Sequence, residues 1–142
     1  MESELTLRIV LETPPKGVDF GVQKGRGSAY ETVQKQRSTG KDLAFVFTVR
    51  VRAGSKTAAP VLLGPFVQGP AAERFVYLDI GTYAGQKDSV WGRRLKIPLS
   101  GITMALIESQ ELLEARVPGT AKDGGPNCAT VKPFGGWKRV RN

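Results

Sequence analysis

Apolar residues at every second position mark two segments of the chain as β-strands. In "LTLRIVLE", residues 5–12, apolar side chains occupy every second position at Leu5, Leu7, Ile9 and Leu11. In "DLAFVFTVRVRA", residues 42–53, the same spacing is kept by Leu43, Phe45, Phe47, Val49 and Val51. Because side chains alternate between the two faces of a strand, this period of two predicts strands with one buried face.

Weaker patterns predict further strands. In "RFVYLDIG", residues 74–81, one face carries Val76, Leu78 and Ile80, and the other carries Phe75, Tyr77 and Asp79. In "RRLKIPL", residues 93–99, the inner positions are Leu95, Ile97 and Leu99. The mostly polar "YETVQKQRS" is typical of an edge strand, since charged side chains discourage pairing with a second chain. Three short strands, in "VLLGPFV", "ATVKPF" and "WKRVR", are separated by Gly and Pro turn signals.

The segment "GITMALIESQELLEA" has the only helical spacing of apolar residues, at Ile102, Leu106 and Leu113. We therefore expect a mainly β protein: an antiparallel β-sandwich or partly open β-barrel with one short helix over about residues 102–113. The length favours a single domain over residues 1–142. One contiguous core is expected from the inward positions of the best strands: Leu7, Ile9, Phe45, Phe47, Val49, Val76, Leu78, Leu95 and Ile97.

The composition excludes several kinds of catalytic site. The chain has no histidine and one cysteine, Cys128, so it cannot build a Ser-His-Asp triad, a His-ligated metal site or an internal disulfide. We predict no cofactor, no metal site and no catalytic residue. An enzyme without histidine is the third hypothesis, with Asp19 or Asp79 as base and Arg74 or Arg93 as electrostatic stabiliser. The opening residues do not resemble a secretory signal, and no run is apolar enough to span a membrane, so we expect a cytoplasmic protein with no membrane partner.

The chain carries a formal charge of +8, from 21 Lys and Arg against 13 Asp and Glu. A basic balance favours anionic partners, although bases scattered over solvated strand faces are the commoner explanation. The alternative function is therefore a nucleic-acid-binding or protein-interaction domain. Its contacts would be Arg93, Arg94, Lys96, Lys138, Arg139 and Arg141. Phe134 and Trp137 lie between the C-terminal bases, where they could stack on the bases of a single strand.

The leading hypothesis is a binding module whose pocket lies at one end of the sheet. Glycine-rich turns, neutral amides and aromatic residues recur in the loops around 23–28, 66–69, 83–91 and 123–127. Such a mixture is typical of a site for a small polar or anionic ligand or a peptide, but tight turns of a β-domain have the same composition. The predicted ligand-binding residues are Gln23, Lys24, Arg26, Phe66, Gln68, Tyr83, Gln86, Trp91 and Arg93.

Several longer motifs carry a family resemblance. The segments "GVDFGVQKG", "GPFVQGP", "RFVYLDIGTYAGQ", "RRLKIPLSGIT" and "GGPNCATVKPF" resemble a family of small bacterial single-domain proteins that is classed as a domain of unknown function. The resemblance extends over residues 5–138 and implies a bacterial single-domain protein. It implies no activity, ligand or site residue.

Overall fold

The chain forms strands over most of its described length. A computed structural model describes residues 2–25, 31–52, 60–70, 73–81, 93–108, 112–119 and 128–140. The strands are β1 (Glu2–Glu12), β2 (Asp19–Lys24), β3 (Glu31–Arg37), β4 (Leu43–Arg52), β5 (Val61–Leu63), β6 (Phe75–Gly81), β7 (Arg93–Pro98), β8 (Leu112–Pro118), β9 (Cys128–Thr130) and β10 (Lys138–Val140). The helix α1 spans Met104–Glu108. No helix within these ranges is both long enough and apolar enough to cross a bilayer.

The first sheet has the strand order β10-β8-β1-β4-β5. β1 and β4 pair in antiparallel register from Glu2 opposite Arg52 to Leu11 opposite Leu43. β8 lies parallel to β1 on its other side, and β10 pairs with β8 at the edge. The two strands predicted from the clearest alternation are therefore neighbours, and they supply the longest ladder of this sheet.

The second sheet has the strand order β3-β2-β6-β7-β9. β6 pairs in antiparallel register with both β2 and β7, whereas β9 lies parallel to β7. The polar strand β3 lies at an edge, as predicted. The β2–β3 register shifts between Phe20 and Val22, and Gln34 of β3 takes a φ of 53° near this shift. Such a bulge bends an edge strand and discourages pairing with a second chain.

The inner faces of the two sheets meet in one hydrophobic core. All the predicted core residues belong to it, and none is more than 3% exposed. Residues from both sheets, such as Phe47 of β4 and Leu78 of β6, share this core. The described strands form two sheets and no closed barrel, so the mainly β fold is confirmed and the β-sandwich is the form it takes.

The helix is shorter than the sequence predicted. It begins after Thr103, whose hydroxyl accepts a hydrogen bond from the backbone N–H of Leu106, and it ends at Glu108. Residues 112–113, predicted as the end of the helix, lie instead in β8. Leu113, Ala115 and Val117 alternate along β8 and are fully buried. The period-two burial and the pairing with β1 overrode the helix-forming tendency of Leu, Glu and Ala.

A second correction concerns the predicted turn around Gln23. Residues 19–24 are strand β2, and Phe20, Val22 and Gln23 are each at most 1% exposed. The glycine at position 21 lies inside this strand, opposite Asp79 of β6. The segment therefore reaches Lys24 as a sheet strand before the chain turns.

Candidate functional site

The outer face of the second sheet carries aromatic and basic side chains. On β6, Val76 and Leu78 point into the core, so Phe75 and Tyr77 point to the opposite face. Tyr77 lies opposite Lys96 of β7, and Lys96 in turn lies opposite Thr130 of β9. Three neighbouring strands thus present one continuous row of side chains away from the core.

Each of the two aromatic rings on this face is covered by a cation from β7. Phe75 and Tyr77 contact each other, with ring centroids 4.7 Å apart and planes tilted by 59°. Lys96 Nζ lies 4.1 Å from the centroid of the Phe75 ring, and Arg94 Cζ lies 4.8 Å from that of Tyr77. Attraction between a cation and the electron-rich ring face stabilises both positions. The rings therefore hold the two cations over the sheet.

A cavity of about 280 Å³ opens on this face, where β6 begins and β7 ends. Its lining residues are Glu73, Arg74, Phe75, Lys96, Pro98, Ser100 and Thr130. This set combines two cations, one carboxylate, two hydroxyls and an apolar wall formed by Phe75 and Pro98. Such a mixture of apolar wall and a few polar groups is typical of small-molecule sites.

Two hydrogen bonds hold Arg74 at this cavity, one made by its side chain and one by its backbone. Its Nη1 donates a hydrogen bond to the carbonyl oxygen of Gly69, and its own carbonyl accepts one from the Leu99 N–H at 2.9 Å. Gly69 has a φ of +89°, and a Cβ there would meet the Glu73 carbonyl oxygen at 2.5 Å and the Phe75 ring at 2.6 Å. Only glycine allows this close approach. The carbonyl that orients Arg74 is therefore fixed by the backbone.

One donor of Arg74 is left without a partner. Its Nε is buried and makes no hydrogen bond. Within the described residues, no carboxylate lies within 4.0 Å of a charged nitrogen of Arg74 or Lys96. A buried donor without an acceptor costs about 1–3 kcal/mol. The two cations that line this cavity thus carry positive charge that no described carboxylate neutralises.

The outer face of the first sheet provides a contrast. Arg116 contacts Glu12 and Asp42 at 2.8 Å each and Glu114 at 3.1 Å, and Arg8 pairs with Glu114. Burial raises the pKa of Glu114, but hydrogen bonds and charge from Arg8 and Arg116 outweigh burial and hold that pKa below its usual value. These charges neutralise one another across β1 and β8, which is a structural role.

The structure brings two of the predicted site residues together. Gln68 Nε2 donates a hydrogen bond to Gln23 Oε1 at 3.1 Å. Gln68 also pairs with Phe75 through two backbone hydrogen bonds, of 2.9 and 3.1 Å, so that it lies beside β6 on the same side as β2. Gln23 Nε2 is buried and has no partner. The amide pair thus joins segment 64–70 to the second sheet.

The other predicted site residues lie elsewhere. Phe66 packs against the core, 5.4 Å from Phe47 between ring centroids, and Lys24 is exposed at the end of β2. Arg93 begins β7 and is described by its backbone alone. Outside the described residues lie Arg26, Tyr83, Gln86 and Trp91, together with loops 83–91 and 123–127. Convergence of these loops on one pocket stays a prediction.

The residues of the nucleic-acid alternative divide between the two sheets. Arg94 and Lys96 lie on β7 of the second sheet, whereas Lys138 and Arg139 lie on the edge strand β10 of the first. Arg141 lies outside the described residues. The expected stacking role of Trp137 is wrong, because this side chain is 5% exposed and its Nε1 donates to the carbonyl oxygen of Pro98 at 3.2 Å. Phe134 is 53% exposed.

Of the enzyme alternative, only the side chains of Asp19 and Arg74 are described, and these two lie in different places. Asp19 lies 3.6 Å from Arg37 at the β2–β3 edge, on a part-exposed surface. Arg74 lines the cavity described above. The Asp79 side chain is not among those described. From the sequence, Arg74 and Lys96 were expected to act only in the alternative functions. Phe75 and Tyr77 were expected on the outer face, but not their contacts with cations.

The fold and this face define a β-sandwich with an aromatic and basic cavity on its second sheet. The chain belongs to a family of unknown function, DUF5990, whose model matches residues 5–140. No curated protein and no solved structure matches the chain.

Proposed function

We propose that this protein is a binding module for a small anionic ligand, a carboxylate or a phosphate, held in the cavity between Arg74 and Lys96. The observation that carries the proposal is that Arg74 and Lys96 line one cavity and that neither has a carboxylate partner among the described residues. An anion would accept hydrogen bonds from both cations and neutralise their charge. The bacterial source and the cytoplasmic location stay predictions from the sequence.

The surroundings of the two cations support binding of an anion. Lys96 is held over the Phe75 ring, and Arg74 is held by Gly69, so little side-chain freedom is lost when a ligand binds. The hydroxyls of Ser100 and Thr130 lie on the same lining and can donate to ligand oxygens. On the first sheet Arg8 and Arg116 already have carboxylate partners, whereas Arg74 and Lys96 have none among the described residues.

The same geometry favours a small ligand over a nucleic acid strand. The cavity of about 280 Å³ has the volume of about nine water molecules. Base stacking requires an open ring face, whereas Lys96 and Arg94 each cover one face of Phe75 and Tyr77. The aromatic residues thus serve to position the cations.

Calorimetric titration tests this function directly. We expect inorganic phosphate or 4-methylpentanoate, a branched carboxylate, to bind the purified protein at low ionic strength. The variants Lys96→Gln and Arg74→Gln should each weaken binding by about tenfold or more, since a hydrogen bond to a charged group contributes about 1.5–3 kcal/mol. Lys132→Gln is the matched control, because Lys132 is exposed and does not line the cavity. Failure of both anions to bind, or unchanged binding by Lys96→Gln, would contradict the proposal.

A further inference from the structure

The cavity also contains a carboxylate that pairs with neither of its cations. Glu73 precedes Arg74 and lines the same cavity as Lys96. Among the described residues, no ion pair joins Glu73 to a charged nitrogen within 4.0 Å. Its backbone N–H donates to the carbonyl of Pro70 at 2.9 Å, which fixes the turn on which it lies. Opposite charges are therefore held in one cavity without neutralising each other.

The neighbouring contacts explain why these charges stay apart. The Arg74 guanidinium is directed to the carbonyl of Gly69, and the Lys96 ammonium lies over the Phe75 ring. Both cations thus have neutral partners, and the exposed Glu73 keeps its carboxylate in contact with solvent. A ligand that brings its own positive and negative groups can contact the two cations and Glu73 together.

From this arrangement we propose that the ligand is a zwitterion, a free α-amino acid with an apolar side chain. This inference rests on the proposed function, because the ligand carboxylate would occupy the anion site at Arg74 and Lys96. The ligand ammonium would bind Glu73, which accepts hydrogen bonds and supplies negative charge. The apolar side chain would pack on Pro98 and on the small exposed part of Phe75, the apolar part of the lining.

Size supports the same ligand class. The cavity of about 280 Å³ is large enough to hold a molecule of the size of leucine. The two hydroxyls of the lining, Ser100 and Thr130, are too few to satisfy a sugar with its many hydroxyl groups. A single polar head with an apolar tail matches the cavity better.

Three ligands of one carbon skeleton separate the contributions of the two charged groups. L-leucine carries both groups, 4-methylpentanoate lacks the ammonium, and 3-methylbutylamine lacks the carboxylate. We expect L-leucine to bind about fivefold more tightly than 4-methylpentanoate, because an exposed ion pair contributes up to about 1 kcal/mol. The amine alone should bind most weakly, since it would place a positive charge next to Arg74 and Lys96.

The variant Glu73→Gln identifies the group that recognises the ammonium. Calorimetry should show that this variant binds L-leucine no more tightly than 4-methylpentanoate, while its affinity for 4-methylpentanoate is unchanged or higher. Glu4→Gln is the control, because it removes one negative charge from an exposed position on β1.

Equal binding of L-leucine and 4-methylpentanoate by the unmodified protein, or equal loss of both in Glu73→Gln, would overturn the zwitterion as the ligand. The anion-binding function would still stand if 4-methylpentanoate or phosphate binds in a Lys96-dependent manner. Absence of binding by every ligand would overturn both proposals.

Discussion

Lys96 Nζ lies over the Phe75 ring although the two residues are not directly opposite in the sheet. Tyr77 is the cross-strand partner of Lys96, and Pro98 is that of Phe75, so the lysine reaches diagonally along the β6–β7 pair. Arg94 makes the same diagonal step to Tyr77. Diagonal neighbours across an antiparallel pair are within reach of long side chains. This register places the Lys96 ammonium at the mouth of the cavity.

Replacing Phe75 with leucine should reduce the affinity for an anion. The change keeps an apolar side chain but removes the ring over which the part-exposed Lys96 lies, which is a contribution of about 0.5–1 kcal/mol. Calorimetric titration with phosphate should therefore show a loss of about twofold to fivefold. Tyr77→Phe keeps its ring and lines no described cavity, so it should bind as the unmodified protein does. An unchanged affinity in Phe75→Leu would show that the ring does not position Lys96.

The Gln23–Gln68 amide pair predicts that Gln68→Ala alone destabilises the protein more than Gln68→Ala combined with Gln23→Leu. Gln68→Ala removes the donor to Gln23 Oε1 and leaves both polar atoms of a fully buried amide without partners. The free energy of unfolding should fall by about 1–3 kcal/mol. Adding Gln23→Leu to this variant should recover most of the loss, because the buried polar atoms are then gone. Urea denaturation measures both values, and a further loss in the double variant would contradict this account.

The Glu114 ion pairs predict a defined pH dependence of stability. The pKa of Glu114 is lowered in the folded state, so its ion pairs stabilise the fold above the unfolded-state pKa of about 4.3 and are lost as pH falls through the folded-state pKa. At pH 7, Glu114→Gln should destabilise the protein by about 1–3 kcal/mol. The difference from the unmodified protein should narrow below about pH 4.3. Denaturation curves across this range would contradict the assignment if the difference stayed constant.

Two neighbouring residues of β4 test which face of the first sheet is buried. Phe47 is 3% exposed and packs in the core, whereas Val46 is 47% exposed on the outer face. Phe47→Ala should lower the free energy of unfolding by about 3–5 kcal/mol. Val46→Ala should change it by no more than about 0.5 kcal/mol. Chemical denaturation of both variants would show an inverted face if the loss for Phe47→Ala were below about 1 kcal/mol.

Two strands could be predicted from the sequence because their apolar residues recur at every second position, which marks the buried face. β1 and β4 combine period-two apolar positions with polar ones, and the structure buries the expected face of each. β8 follows the same period at Leu113, Ala115 and Val117. Alanine and the neighbouring glutamates also favour helices, so the sequence of β8 alone did not distinguish a strand from a helix. Its pairing with β1, more than a hundred positions earlier in the chain, decided the outcome.

The contacts of the candidate site could not be predicted from any single segment of the sequence, because they join residues from different strands. The alternation of β6 places Phe75 and Tyr77 outside the core, and this much follows from the sequence. Their contacts with Lys96 and Arg94 depend on the β6–β7 register, which a one-residue slip would remove. The hydrogen bond between Gln23 and Gln68 likewise joins residues 45 positions apart. The residue types on this face could therefore be predicted from the sequence, whereas the contacts between them required the strand pairing.

Arginine side-chain NMR tests the central claim most directly, because the Nε–H resonance reports on the Arg74 guanidinium, which lines the cavity. The ¹⁵N–¹H resonance of this group, assigned with Arg74→Lys, should shift and saturate as phosphate or 4-methylpentanoate is added. The same titration of Lys96→Gln should require a higher anion concentration for the same shift. A resonance that stays in place in the unmodified protein, or that moves linearly together with those of Arg8 and Arg116, would contradict an anion site at Arg74 and Lys96.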